Sequence, residues 1–264
     1  MLRQRILSAT VLIPILFVAI WFGDPWYSLI VGIAALLGVS EFYNIISRRR
    51  WHPLALLGAL WTLFFILNAH SESPQTTTPM LVTSAMVLSL LLFLFLRPTA
   101  EQAFRGWTWF LAGMFYLGWL FSYWVLLGNY GREWVFFALF STFAFDTTSY
   151  FIGRTWGKHK LAPSISPNKT WEGVAGGIVG AMAAAIILAI IFGLEISYWQ
   201  LLLLGFLIAI FAQLGDLAES SIKRSAKVKD AGSIIPGHGG LLDRLDSVLF
   251  TGVVVYYYLR WILG

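Results

Sequence analysis

Long apolar runs separated by short polar stretches organise the chain from one end to the other. They cover residues 6–22, 26–46, 54–67, 80–96, 107–127, 134–152, 174–192, 199–222 and 247–262. Most approach the roughly 20 helical residues needed to cross a ~30 Å hydrocarbon layer. Membrane barrel strands alternate with a period of two over about 10 residues, whereas these runs are continuously apolar, so the pattern predicts α-helices. The third run is short. Tilting, or extension through Trp51, would let it span, and counts of eight and ten stay open beside nine.

Composition excludes a soluble globule. Of 264 residues, 58% are hydrophobic and 12% charged, against about 25% charged in an ordinary soluble domain. Too few polar residues remain to coat a core, so lipid is the outer solvent. Trp26, Trp51, Trp107, Trp134, Trp171, Trp199 and Trp261 fall near the ends of the runs, where an amphipathic ring favours the water boundary. The net charge of +5 is spread through loops rather than along one basic face, which argues against nucleic acid as a partner. With nine spans and an inside N-terminus, all but Arg132 and Arg260 of the 18 lysines and arginines lie on the cytoplasmic side, a strong positive-inside asymmetry. The first run follows Arg3 and Arg5 but has no convincing cleavage site, and is read as a retained helix. The absence of cysteine removes disulfides, thiol nucleophiles and thiolate-bound metals. The expected fold is therefore all-α: a polytopic integral membrane protein with about nine transmembrane helices and a polar cavity facing the cytoplasm. Residues 1–100 form N-terminal membrane helices, and 101–264 a catalytic bundle.

Carboxylates in or beside the spans carry the candidate chemistry, because an acid near the bilayer centre costs about 2.5–3.5 kcal/mol and usually lines a wet cavity. Asp146, Asp216, Glu219, Asp243 and Asp246 are placed in this way. Asp243 and Asp246, three apart, fall on one helical face and invite a cation, with Asp216 as a third oxygen ligand. They could instead cap the last helix beside Arg244. Oxygen ligands without cysteine favour a hard ion, Mg²⁺ over Zn²⁺. Asp216, Ser220, Lys223 and Lys227 follow helical spacing and would share one face, with Lys229 and Asp230 closing the run. The segment Pro236-Gly237-His238-Gly239-Gly240 frees its backbone to approach an anion, although His238 could equally be structural. Ser166, Asn168, Lys169, Thr170 and Glu172 precede a helix whose positive end suits phosphate; Thr170 also fits a simple cap. Asp146 and Tyr150, four apart, would face the same interior.

Taken together, Ser221-Ile222-Lys223-Arg224, Lys229-Asp230 and Pro236-Gly237-His238-Gly239-Gly240-Leu241-Leu242-Asp243-Arg244-Leu245-Asp246 resemble the signature of the phosphatidate cytidylyltransferases, or CDP-diacylglycerol synthases. Gly215-Asp216-Leu217 and the 166–173 segment also look like family motifs. The resemblance covers the C-terminal half; Ser149 departs from it, where alanine is expected before Tyr150.

The resemblance implies transfer of a cytidylyl group from CTP to phosphatidic acid, with CDP-diacylglycerol and pyrophosphate as products. It also implies Mg²⁺, with a second, monovalent cation left open, and a homodimer in the bacterial inner membrane. By the same carry-over, Asp216, Asp243 and Asp246 would bind metal. Lys223, Arg224, Lys227 and Lys229 would neutralise phosphates, and Ser221 with the glycine loop would help position them. The rival readings are a CTP-dependent polyprenol or phytol kinase and a cation-coupled transporter.

Overall fold

The structure, a computed structural model, describes residues 2–47, 53–96, 99–232, 234–235 and 239–263. It is mostly helical, with one small hairpin, and divides into two compact units. The first comprises residues 1–126 with 230–242, and the second 127–229 with 243–264. The expected boundary at residues 100 and 101 falls within the first unit, at the start of its fifth helix.

The first unit holds α1 (Leu2–Phe22), α2 (Trp26–Ser47), α3 (Pro53–Asn68), α4 (Pro74–Leu96) and α5 (Ala100–Gly113). A π-helical segment, Met114–Trp119, then runs into α6 (Leu120–Gly128), so that the fifth apolar run is one continuous rod. Gly23 takes a positive φ of 71° in the turn between α1 and α2, a backbone shape that glycine adopts without strain. Aromatic hydroxyls satisfy themselves on backbone carbonyls across the unit: Tyr27 Oη donates to Trp124 O at 2.7 Å, and Tyr43 Oη to Phe110 O at 2.7 Å. The segment returning from the C-terminal half is held by the Leu242 amide, which donates to Glu41 Oε2 at 2.8 Å.

In the second unit, α7 (Arg132–Trp156) leads into an antiparallel hairpin of β1 (Lys160–Ala162) and β2 (Ser166–Thr170). Thr170 ends β2 and caps α8 (Trp171–Phe192), its Oγ1 accepting the Gly173 amide at 3.2 Å. A capping box of Ser197 and Gln200 starts α9 (Tyr198–Ser225), satisfying two otherwise open helix-end donors. The last helix, α10 (Leu242–Tyr258), continues as a π turn, Leu259–Leu263.

Small residues set how closely these helices pack. A Cβ built on Gly177 would stand 2.5 Å from Phe145 Cε2, and one on Gly173 would stand 2.9 Å from the Ser149 carbonyl, so the α8 backbone lies against both side chain and backbone of α7. On α9, Gly205 meets Ala181, Met182 and Ala185 of α8, while Gly215 meets Asp246 and Phe250 of α10. In lipid, such close approach supplies the dispersion contacts that hydrophobic burial supplies in water. Thr142 and Thr251 add a buried hydroxyl pair at 3.0 Å between α7 and α10.

Among the described residues, six helices are long and apolar enough to cross a membrane: Trp26–Ile46, Thr76–Leu96, Ala100–Gly128, Arg132–Trp156, Trp171–Phe192 and Tyr198–Ser225. Thr10–Phe22 and Ala55–Asn68 are shorter apolar helices. Every expected run is helical, and six of the nine meet the length and hydropathy that a full span requires. The last helix begins five residues earlier than its apolar run, because Asp243, Arg244 and Asp246 belong to its first turns.

Candidate active site

A cavity of about 900 Å³ opens in the second unit, walled by α7, the hairpin, α9 and α10. Asp146 and Tyr150 reach it from α7, and Asp216 from α9. The β2 strand contributes Ser166, Asn168, Lys169 and Thr170, and the first turns of α10 contribute Asp243, Arg244 and Asp246. Thus the three expected metal ligands share one cavity with residues of the expected phosphate-binding segment, which forms a strand rather than a loop. The spacings explain it: residues three or four apart on a helix share a face, as Asp146 and Tyr150 do on α7 and Asp243 and Asp246 on α10.

Two lysines cross-link the acids. Lys169 Nζ lies 2.5 Å from Asp216 Oδ2, tying the hairpin to α9. Lys223 Nζ sits 2.5 Å from Glu219 Oε2 and 2.6 Å from Asp243 Oδ1, tying α9 to α10. Glu219 is 0% exposed, so this second link compensates a carboxylate that water cannot reach. Ser220 Oγ donates to Asp216 Oδ1 at 3.3 Å. Ser247 serves two acids: its hydroxyl donates to Asp146 Oδ1 at 3.2 Å and its amide to Asp246 Oδ1 at 2.8 Å. Asp146 and Asp246 have no Lys or Arg within ion-pairing distance among the described residues, and Asp246 interacts electrostatically with Asp216, Glu219 and Asp146.

Two clustered acids without a basic partner among the described residues, Asp146 and Asp246, are the observation a bound cation would answer. No three His, Asp or Glu side chains among the described residues already close around one point. Mg²⁺ does not require this, since it takes one or two carboxylates and completes its shell with water and substrate phosphate. The carboxylate oxygens of Asp146, Asp216, Asp243 and Asp246 on this wall suit such an ion.

Other expected site residues lie elsewhere. The helical row on α9 stops short of Lys227, which follows the Ala226 C-cap with a left-handed φ of 59°; the expectation that Lys227 shares the face of Asp216 is corrected. Lys227, Lys229 and Ser221 are exposed. Arg224 ties α9 to the hairpin, its Nε donating to Ile165 O at 3.3 Å. Glu172 accepts the Lys158 and His159 amides at 3.1 and 3.2 Å and pairs with His159 Nδ1 at 2.6 Å, so it anchors the chain leading into β1. Asp230, Gly239 and Gly240 belong to the first unit, where Gly239 has a φ of 89° and its carbonyl accepts the Ile235 amide at 3.0 Å. Gly237 and His238 lie outside the described residues.

Sequence reasoning passed over Ser149, Gly153, Arg154, Gly157, Lys160, Gln213 and Ser247, all of which line the cavity. Arg154 Nη1 donates to Tyr150 Oη at 2.8 Å. Gln213 was visible as the first polar residue in α9 after Gln200. The others carry no pattern of their own.

Comparison with known proteins bears on this constellation directly. The sequence matches the cytidylyltransferase family over residues 3–262. The chain belongs to the cytidylyltransferase family. Within that family it is similar to a protein of Synechocystis sp. (strain ATCC 27184 / PCC 6803 / Kazusa) named phosphatidate cytidylyltransferase, with 32% identity covering 98% of this chain and 97% of that protein. A phosphatidate cytidylyltransferase of Brucella abortus (strain 2308) is 33% identical, covering 97% and 93%. One from Bacillus subtilis (strain 168) is 47% identical over a shorter match, 54% of this chain and 55% of that protein. The cytidylyltransferase match thus takes in both units, including the whole cavity.

Proposed function

We propose that this cytidylyltransferase joins CTP to phosphatidic acid, forming CDP-diacylglycerol and releasing pyrophosphate. The observation that carries the reading is one cavity lined by Asp216, Asp243, Asp246 and Lys169; relatives of nearly full length that are named phosphatidate cytidylyltransferase support it.

The chemistry suits these residues. A phosphate monoester has its second pKa near 6, so the attacking lipid oxygen is ionised at neutral pH and needs no general base. That oxygen bonds to the α-phosphorus of CTP while the bond from the α-phosphorus to the bridging oxygen breaks, and pyrophosphate carries away the electron pair. The obstacle is repulsion between anions, which fixed cations placed in advance lower most effectively. Lys169, Arg154, Lys160 and Arg244 line the cavity and are assigned to the phosphates, while Lys223 holds Asp243 in place. Mg²⁺ held by Asp216, Asp243 and Asp246, with or without a monovalent partner ion, would neutralise phosphate oxygens and help pyrophosphate leave.

The charge asymmetry of the loops supports nine spans in a bacterial inner membrane, with the N-terminus and the cavity on the cytoplasmic side. There CTP arrives from water and the lipid headgroup from the interface. A homodimer is part of the same proposal.

Products test the reading. Purified protein given phosphatidic acid, Mg²⁺ and CTP labelled at the α-phosphorus is expected to transfer that label to lipid and release pyrophosphate. In a parallel assay with a polyprenol or phytol and CTP labelled at the γ-phosphorus, transfer of that label to the alcohol with release of CDP would instead identify a lipid kinase.

A further inference from the structure

Gln213 occupies α9 three residues before Asp216, about 4.5 Å further from the lysine-bearing end of the helix. It is 7% exposed and lines the cavity together with Phe143 and Phe145 of α7. Its Nε2 is shut off from solvent and has no hydrogen-bond partner among the described residues. Buried amide donors in folded proteins are nearly always paired. An unpaired one on a cavity wall is placed for a group that the chain does not supply.

The surroundings narrow that group. The cavity gathers Lys169, Asn168 and Ser166 and, with Gln213, also Phe143 and Phe145; Phe145 packs with the buried Ala209 and Ala212 that precede Gln213 on α9. A ligand matching both has an anionic end and, one helical turn away, a neutral acceptor in apolar surroundings. Phosphatidic acid has this layout, with its phosphate joined through glycerol to ester carbonyls and then to acyl chains. We infer that Gln213 donates to an acyl ester carbonyl of the lipid substrate and so selects diacylglycerol phosphates over lipid phosphates that lack an ester beside the headgroup.

This rests on the proposed function and adds a specificity-determining residue to it. The test uses detergent-solubilised full-length protein in mixed micelles with Mg²⁺ and CTP, comparing diacyl phosphatidate with a dialkyl ether counterpart of equal chain length. Wild-type protein is expected to show a KM for the ether about tenfold higher, with kcat within about twofold, the scale of one lost hydrogen bond to a buried donor. Gln213→Leu is expected to raise the KM for the diacyl lipid about tenfold and to leave those for the ether and for CTP unchanged. Equal wild-type KM values for the two lipids overturn the assignment, even if the variant does not fold. A rise in the CTP KM of Gln213→Leu overturns it as well, by giving the amide to the nucleotide. Failure of wild-type protein to cytidylylate either lipid removes the proposed function itself, a result distinct from equal KM values.

Discussion

Replacing Asp246 with asparagine is expected to lower turnover about a thousandfold while leaving the protein folded, the scale at which one fixed charge acts on a charged transition state. Asp246 lines the cavity, accepts the Ser247 amide at 2.8 Å and interacts with three other acids. Asparagine keeps the volume and can keep that hydrogen bond, but removes the charge. In the absence of metal the variant should melt at the same temperature or higher, because one of several mutually repelling carboxylates is gone. Saturating Mg²⁺ should not restore the rate. Near-normal Mg²⁺-dependent turnover would contradict the role given to Asp246.

Lys223→Met should act mainly on stability. The lysine bridges Glu219, fully buried, and Asp243. Its loss takes the ammonium from between the two acids and strips the buried Glu219 of its ion pair, a change that costs about 3–5 kcal/mol when one member of a buried pair is removed. Thermal unfolding in detergent is expected to fall by several degrees, and Lys223→Met combined with Glu219→Gln should recover most of the loss, since the buried charge is then gone. The double variant should stay poorly active, because Asp243 is no longer held toward the cavity. An unchanged melting temperature for Lys223→Met would show that the bridge carries no stability.

The apolar runs were the legible part of the fold, because continuous hydrophobicity over a membrane thickness has few other readings. The run at 26–46 became α2, Trp26–Ser47, almost unaltered. Polar helix ends were less legible in the hydrophobic pattern: the run at 174–192 begins three residues after α8 does, and only Thr170, which fits a cap in the sequence and is one in the structure, points to the start at Trp171. The β1–β2 hairpin was missed because Lys160-Leu161-Ala162 and Ser166-Pro167-Asn168-Lys169-Thr170 lack the period-two alternation that marks a half-buried strand. The hairpin nevertheless delivers Lys169 to within 2.5 Å of Asp216.

For the site, helical spacing sufficed on α7 and α10. On α9 it overreached by one turn, because nothing in Ser225-Ala226-Lys227 announces that the helix ends before Lys227. Gln213 shows the converse. A single amide in an apolar run was plain in the sequence, but its meaning depends on the cavity beside it and on the absence of a partner among the described residues.

At the centre of the account stands one cavity in which carboxylates and lysines from α7, the hairpin, α9 and α10 bring two phosphates within reacting distance. An experimental structure of the protein with CTP and Mg²⁺ tests it most directly. The triphosphate is expected in this cavity, beside Lys169 and Arg244, with the ion among Asp216, Asp243 and Asp246. Nucleotide bound elsewhere, with those three acids turned away from it, would contradict the account.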